Sequence, residues 1–140
     1  MKSSLVNILM ISNDVTEVMN VQDIFKSNKV SNPLFIAQSS EEALELLGDN
    51  NNVKNKIEIP CIILLDMNLS ETAVNEFLKQ LNESGQSKDV NLFLLTSGTK
   101  DRTGLINFTI VDSIVKPVTF GKFVSAISIL HKSWQLYVQS

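Results

Sequence analysis

Cys61-Ile62-Ile63-Leu64-Leu65-Asp66-Met67-Asn68 is an unbroken apolar run that ends on a carboxylate. A run this short, without alternation, predicts a strand buried on both faces, as strands are in parallel sheets. Open α/β sheets form their ligand crevices just outside the carboxyl ends of such strands, which puts Asp66 at the rim of one. There it is either a cap for the helix that begins near Thr72 or a chemical group.

Outward from this run, apolar strand candidates recur at Leu5 to Ile11, Leu34 to Ala37, Leu92 to Leu95 and Ile110 to Val115, five strands in all. Helical patterns lie between them. The first carries Val15, Val18, Met19, Ile24 and Phe25; the second carries Ala43, Leu44, Leu46 and Leu47 and stops at Gly48, a C-cap signal. The third is the clearest, with Val74, Phe77, Leu78 and Leu81 on one helical face. A last pattern starts near Thr119 and carries Phe120, Phe123, Val124, Ile127, Leu130, Trp134 and Tyr137, which predicts a helix that outlasts the sheet. Asp14-x-x-Glu17 and Ser39-x-x-Glu42 read as capping boxes. The polar stretches Asp49 to Ile59 and Asn82 to Asp89 read as surface loops. Between Thr96 and Lys116 the helical signal is interrupted by Gly98 and Gly104, so the fourth helix should be short or irregular. Such alternation predicts a parallel sheet with helices on both faces, joined by right-handed crossovers. It leaves the strand order open.

The 140 residues fit a single domain, 1–140, which buries roughly two-thirds of its unfolded surface. With 44% hydrophobic and 19% charged residues and a net charge of -3, the chain shows neither a disordered composition nor a basic footprint for nucleic acid. The N-terminus has neither a signal-peptide layout nor the length of a membrane span, so a cytoplasmic protein is expected. One cysteine and one histidine exclude a disulfide framework and a Cys/His zinc site within this chain. Cys61 reads as a small buried hydrophobe, and His131 is too isolated to serve as a catalytic base.

Three strand ends share a layout: one stops at Asp66, the next at Thr96-Ser97, the last at Lys116-Pro117. In a parallel sheet these ends lie along one edge. A carboxylate, a hydroxyl and an ammonium converging there supply a nucleophile, a hydrogen-bond donor and a counter-charge for a phosphoryl group. Thr96 alone would be an ordinary β-branched strand residue and Lys116 an ordinary exposed lysine; their joint spacing with Asp66 is what lifts them.

Leu64-Leu65-Asp66-Met67-Asn68-Leu69, Leu94-Leu95-Thr96-Ser97 and Val115-Lys116-Pro117-Val118 together resemble a receiver domain of a two-component response regulator over nearly all of the chain. Asn28-Lys29-Val30-Ser31-Asn32, Glu41-Glu42-Ala43-Leu44 and Trp134 are similar to the single-domain regulators that partner bacterial phytochromes. The resemblance implies a bacterial protein with a doubly wound, flavodoxin-like α/β fold of five parallel strands in the order 2-1-3-4-5. It implies that Asp66 accepts a phosphoryl group from a sensor histidine kinase or phosphotransfer protein. Thr96 would donate to a phosphoryl oxygen and Lys116 would pair with its charge. It also implies Mg²⁺, seated on Asp66, on the backbone carbonyl of Asn68 and at the position of Asn13, and a cis peptide bond before Pro117.

The chain departs from the family pattern in several places. The acidic pair that holds the metal is replaced by Ser12 and Asn13, so Mg²⁺ should bind more weakly. Asp14, one residue late, is a further candidate through water, with helix capping as its favoured role. Ser70 and Val74 stand where the family has proline and glycine, Ser113 replaces an aromatic switch residue, and the interval from Thr96 to Lys116 is shorter than the pattern. Without that ring, the coupling of phosphorylation to a surface takes another form.

The leading function is a stand-alone receiver that signals by changing a surface toward a downstream protein, a switch and not a turnover enzyme. Trp134 and Tyr137 are candidates for a partner surface or a homodimer through the last helix. The runner-up is an atypical receiver acting as a phosphorylation-independent interaction module. A haloacid-dehalogenase-type phosphohydrolase is opposed by Asn68, which stands where those enzymes place a second acid. No glycine-rich phosphate loop supports a nucleotide-binding module.

Overall fold

The computed structural model describes residues 5–47, 61–85, 90–97, 110–131 and 134–139. In chain order these form β1 (Asn7–Ile11), α1 (Val15–Ser27), β2 (Leu34–Ala37), α2 (Ser40–Leu47), β3 (Cys61–Asp66), α3 (Glu71–Glu83), β4 (Val90–Thr96), β5 (Asp112–Val115) and α4 (Phe120–Ile127). All pairings are parallel and the strand order is 2-1-3-4-5. The Gly48 cap, the loop after it and the irregular helix expected between Thr96 and Lys116 fall on residues outside those described.

β3 lies at the centre, and every one of its residues is buried. Side chains alternate across a strand, so its apolar run fills two cores at once. Ile63 and Leu65 join Leu9, Ile11 and Leu94 beneath Val74, Phe77, Leu78 and Leu81 of α3. Ile62 and Leu64 join Ile8, Met10 and Phe93 beneath Val21 and Phe25 of α1 and Phe123 and Ile127 of α4. A strand that must bury both faces cannot afford a polar residue until it leaves the sheet, which is why the run is continuous up to Asp66.

Several expectations need correction. β1 begins at Asn7 and not Leu5, because the Val6 carbonyl is taken by the Asn32 amide at 3.1 Å. β5 begins at Asp112 and not Ile110, although Val111 N–H already bonds the Leu92 carbonyl at 2.8 Å. α3 absorbs Asn82 and Glu83 and ends where Gly85, at φ +81°, takes the left-handed conformation that glycine adopts at little cost. Of the two capping boxes, Ser39 accepts from Glu42 N–H at 3.1 Å while Glu42 reaches back to Gln38 N–H at 2.8 Å. The other is half formed: Asp14 accepts from Glu17 N–H at 3.2 Å, but the Glu17 carboxylate turns into the protein.

The largest correction concerns the last helix. It ends at Ile127 with Ser128 as C-cap, and the chain then turns back. Gln135 Nε2 donates to the carbonyls of Ile127 at 3.0 Å and Leu130 at 2.9 Å, satisfying groups that a helix end leaves orphaned. Trp134 and Leu136, half-buried, pack on the α1–α4 core. The tail then bridges antiparallel to the segment before β2, Val138 against Val30, with Ser31 N–H bonding the Tyr137 carbonyl at 2.6 Å. The apolar spacing beyond Ile127 thus marks a strap over the core and not a projecting helix. The expected homodimer therefore loses the long helix on which it was premised.

Candidate functional site

Parallel pairing carries the ends of β1, β3, β4 and β5 to one edge of the sheet. The ladder sets Met10 beside Leu64 and Ile11 beside Leu65. One step further, Ser12 meets Asp66 on the face that Met10 and Leu64 share. Both are fully buried, and Ser12 Oγ donates to Asp66 Oδ2 at 2.7 Å. The same hydroxyl accepts from Asp14 N–H at 3.1 Å.

The other carboxylate oxygen, Oδ1, accepts from Lys116 Nζ at 2.8 Å and from the backbone N–H of Asn68 at 2.9 Å. The Lys116 side chain is only 10% exposed. A buried carboxylate is tolerated when it is paired and hydrogen-bonded, and Asp66 has an ammonium, an amide and a hydroxyl. It does not cap the following helix; Ser70 does, accepting from Ala73 N–H at 3.1 Å.

Lys116 is held in place by its neighbours. Its own N–H bonds the Thr96 carbonyl at 2.7 Å, and the Lys116–Pro117 peptide is cis, as expected. The backbone of Val118 is gripped from α1: its N–H donates to Glu17 Oε2 at 3.1 Å and its carbonyl accepts from Asn20 Nδ2 at 2.9 Å. Asn20 also donates to Glu17 Oε2 at 3.1 Å. Lys122 Nζ reaches back from α4 to the carbonyls of Val115 and Pro117 at 3.1 and 3.2 Å.

The expected residues are therefore brought together unevenly. Asp66 and Lys116 are in direct contact. Thr96 is buried one ladder step beyond Leu95, the partner of Asp66, and is joined to Lys116 through its backbone. Asn68 reaches Asp66 through its N–H. Asn13 is exposed and lines a groove of about 700 Å³ with Ser39, Leu69 and Ser70. Asp14 caps α1. Sequence reasoning assigned no role to Ser12 beyond a missing acid, placed Glu17 in a capping box with Asp14, and left Asn20 unread. The first could have been found by extending the β1–β3 register by one residue. Glu17 read as the second half of a capping box, and no local pattern signalled its turn inward to Val118 N–H.

Comparison with solved structures places this edge. A two-component response regulator from Legionella pneumophila is 29% identical, with a TM-score of 0.75, covering 89% of this chain and 96% of that one. The bacteriophytochrome response regulator RtBRR is 24% identical with a TM-score of 0.74, over 98% of this chain and 82% of that one. The chemotaxis response regulator CheY4 of Vibrio cholerae is 16% identical with a TM-score of 0.67, over 90% and 98%. This is the receiver fold. Neither protein-family models nor curated proteins match the chain. The likeness to response-regulator structures supports a role for this chain in two-component signalling.

Magnesium, which the receiver fold implies, finds no acidic pair beside Asp66 at this edge. Each oxygen of Asp66 already accepts from a donor of the protein, Oδ1 from two and Oδ2 from the Ser12 hydroxyl. Among the described residues there is no group of three or more acidic, His or Cys side chains able to hold a metal. No described helix is long and apolar enough to cross a membrane. On the far side of β5, Ser113 lines a groove of about 620 Å³ with Val115, Gly121, Lys122 and Ala126. A small side chain leaves that space open.

Proposed function

We propose that the chain is a receiver in which Asp66 accepts a phosphoryl group from a histidine kinase or phosphotransfer protein, and which signals through contacts with a downstream protein. The observation that carries this reading is the contact of Lys116 Nζ with Asp66 Oδ1 at 2.8 Å, beside the buried end of β4 at Thr96. Neutralising charge is the main requirement of phosphoryl transfer, because the protein has little covalent chemistry to do. Oδ1 keeps Lys116 and the Asn68 N–H, while Oδ2 is held only by the neutral Ser12 hydroxyl and is the oxygen that attacks once Ser12 turns aside. The new P–O bond forms as the P–N bond of a phosphohistidine breaks. The electron pair stays on the imidazole nitrogen, and Lys116 remains protonated beside the phosphoryl group. Thr96 supplies a hydroxyl donor to that group. The cycle ends in a modified protein and not in turnover of a small substrate.

The full closure of Asp66, at 0% exposure, favours a second reading, a constitutive interaction module. Incubation with acetyl phosphate followed by intact-mass measurement separates the two. The phosphoacceptor reading expects one phosphoryl adduct on the wild-type protein and none on Asp66→Asn. Absence of an adduct both from acetyl phosphate and from phosphorylated kinases would leave the interaction module.

A further inference from the structure

A receiver edge that lacks its acidic pair must hold the Asp66 charge by other means. Mg²⁺ needs oxygen lone pairs in near-octahedral array at about 2.0–2.1 Å, and it sheds water reluctantly. Here the loop after β1 offers no free carboxylate, and its one uncommitted side-chain oxygen is the neutral, exposed amide of Asn13. The Ser12 hydroxyl is committed in both directions, donating to Asp66 Oδ2 and accepting from Asp14 N–H. The Asp14 carboxylate caps α1 through Glu17 N–H at 3.2 Å. Glu17, the next acid, is buried, and its Oε2 is taken by Val118 N–H and the Asn20 amide. At Asp66 itself the other oxygen meets the Lys116 ammonium and the Asn68 N–H.

Charge leads to the same place. With an acidic pair in the loop, three carboxylates would face one ammonium, and a divalent cation would be needed to balance them. With Ser12 and Asn13 there, the single carboxylate of Asp66 is matched by the single ammonium of Lys116, and the pair is closed by a neutral hydrogen bond.

We infer that this receiver site works without a divalent cation: Ser12 is a positioning residue whose hydroxyl takes over the orientation of Asp66, leaving Lys116 as its charge partner. The functional half of this inference rests on the reading of Asp66 as phosphoacceptor. The transfer itself is the one already written, with P–O formed, P–N broken and the ammonium as the only cation.

The test uses the whole chain. Calorimetric titration of the wild-type protein with MgCl₂ or MnCl₂ is expected to show no saturable heat through the low millimolar range. Adduct formation from acetyl phosphate is expected to proceed in excess EDTA at a rate within about twofold of that in Mg²⁺, since no metal acts as Lewis acid. The double variant Ser12→Asp, Asn13→Asp is expected to gain saturable Mg²⁺ binding. Sub-millimolar binding by the wild type, or an adduct that forms only with the metal, overturns the inference. So does a folded double variant, judged by circular dichroism, that still binds no Mg²⁺. If the double variant does not fold, the wild-type titration decides alone. If no adduct forms under any condition, the phosphoacceptor reading fails, and with it the functional half of the inference, while the titration still decides the metal.

Discussion

The two ends of the same sheet close in opposite ways. At the carboxyl ends of the strands, a buried charge is held by a buried charge: Asp66 with Lys116, completed by Ser12. At the amino ends the Asn32 amide, 3% exposed, bonds the Val6 carbonyl at 3.1 Å and accepts from Tyr137 N–H at 2.6 Å, drawing the C-terminal strap onto the sheet with no charge at all. Cys61 opens β3 at that end, fully buried, and burial pushes its thiol from an ordinary 9.0 up to about 12. A neutral amide network meets the demand that buried polar groups be satisfied at lower desolvation cost than an ion pair. Among the described residues a buried ion pair closes the carboxyl end of the sheet, where burial and a specific charge partner together mark a candidate site.

Three measurements would break or sharpen that contrast. Lys116→Ala leaves a buried carboxylate without its cation and should cost about 3 kcal/mol in urea unfolding, with loss of the phosphoryl adduct. A loss below about 1 kcal/mol would put the pair in the class of surface ion pairs and remove the contrast.

Asn32→Ala strands the Val6 carbonyl and the Tyr137 N–H and should cost about 2 kcal/mol. Exchange at the Gln139 amide, which bonds the Lys29 carbonyl at 2.9 Å, should speed up as the strap loosens, while adduct formation on Asp66 stays unchanged. If the adduct also fell, the two ends would be coupled and not separate.

The smallest effect is the thiol. Folded Cys61 keeps its proton up to about 12 whereas the unfolded thiol loses it near 9.0, so the folded state binds more protons in that window and stability falls as pH rises through it. Over the first pH unit above 9.0 the fall should be about 1 kcal/mol. Comparing pH-dependent unfolding of the wild type with Cys61→Ala isolates it from the lysines, and identical slopes would show that the thiol is not desolvated.

The sheet and its candidate edge were legible because β3 is so demanding. A central parallel strand needs apolar residues on both faces, so the run from Cys61 to Leu65 could be read directly, and its end at Asp66 marked the crevice. Thr96 and Lys116 were legible by position, Thr96 as the polar last residue of the buried β4 and Lys116 as the residue just after β5. The strap was not. Leu130, Trp134 and Tyr137 fit a helical period, and what ends α4 is Gln135 reaching its last carbonyls while Asn32 receives the Tyr137 amide from across a hundred residues of chain. Such long-range hydrogen bonds leave no periodic trace.

The sequence by itself determined the layers, the parallel edge and the identity of the charged groups along it, because burial on two faces and strand ends are local constraints on residue type. Only the tertiary structure decided what each group does there. Parallel register set Ser12 against Asp66, so that a residue read as a lost metal ligand became a hydrogen-bond donor. The packing of α1 turned Glu17 from the helix start to the Val118 peptide, steadying the loop that carries Lys116. A hydroxyl or a carboxylate has no fixed role until its neighbours are known, since what it does depends on which donor or acceptor the fold brings within about 3 Å.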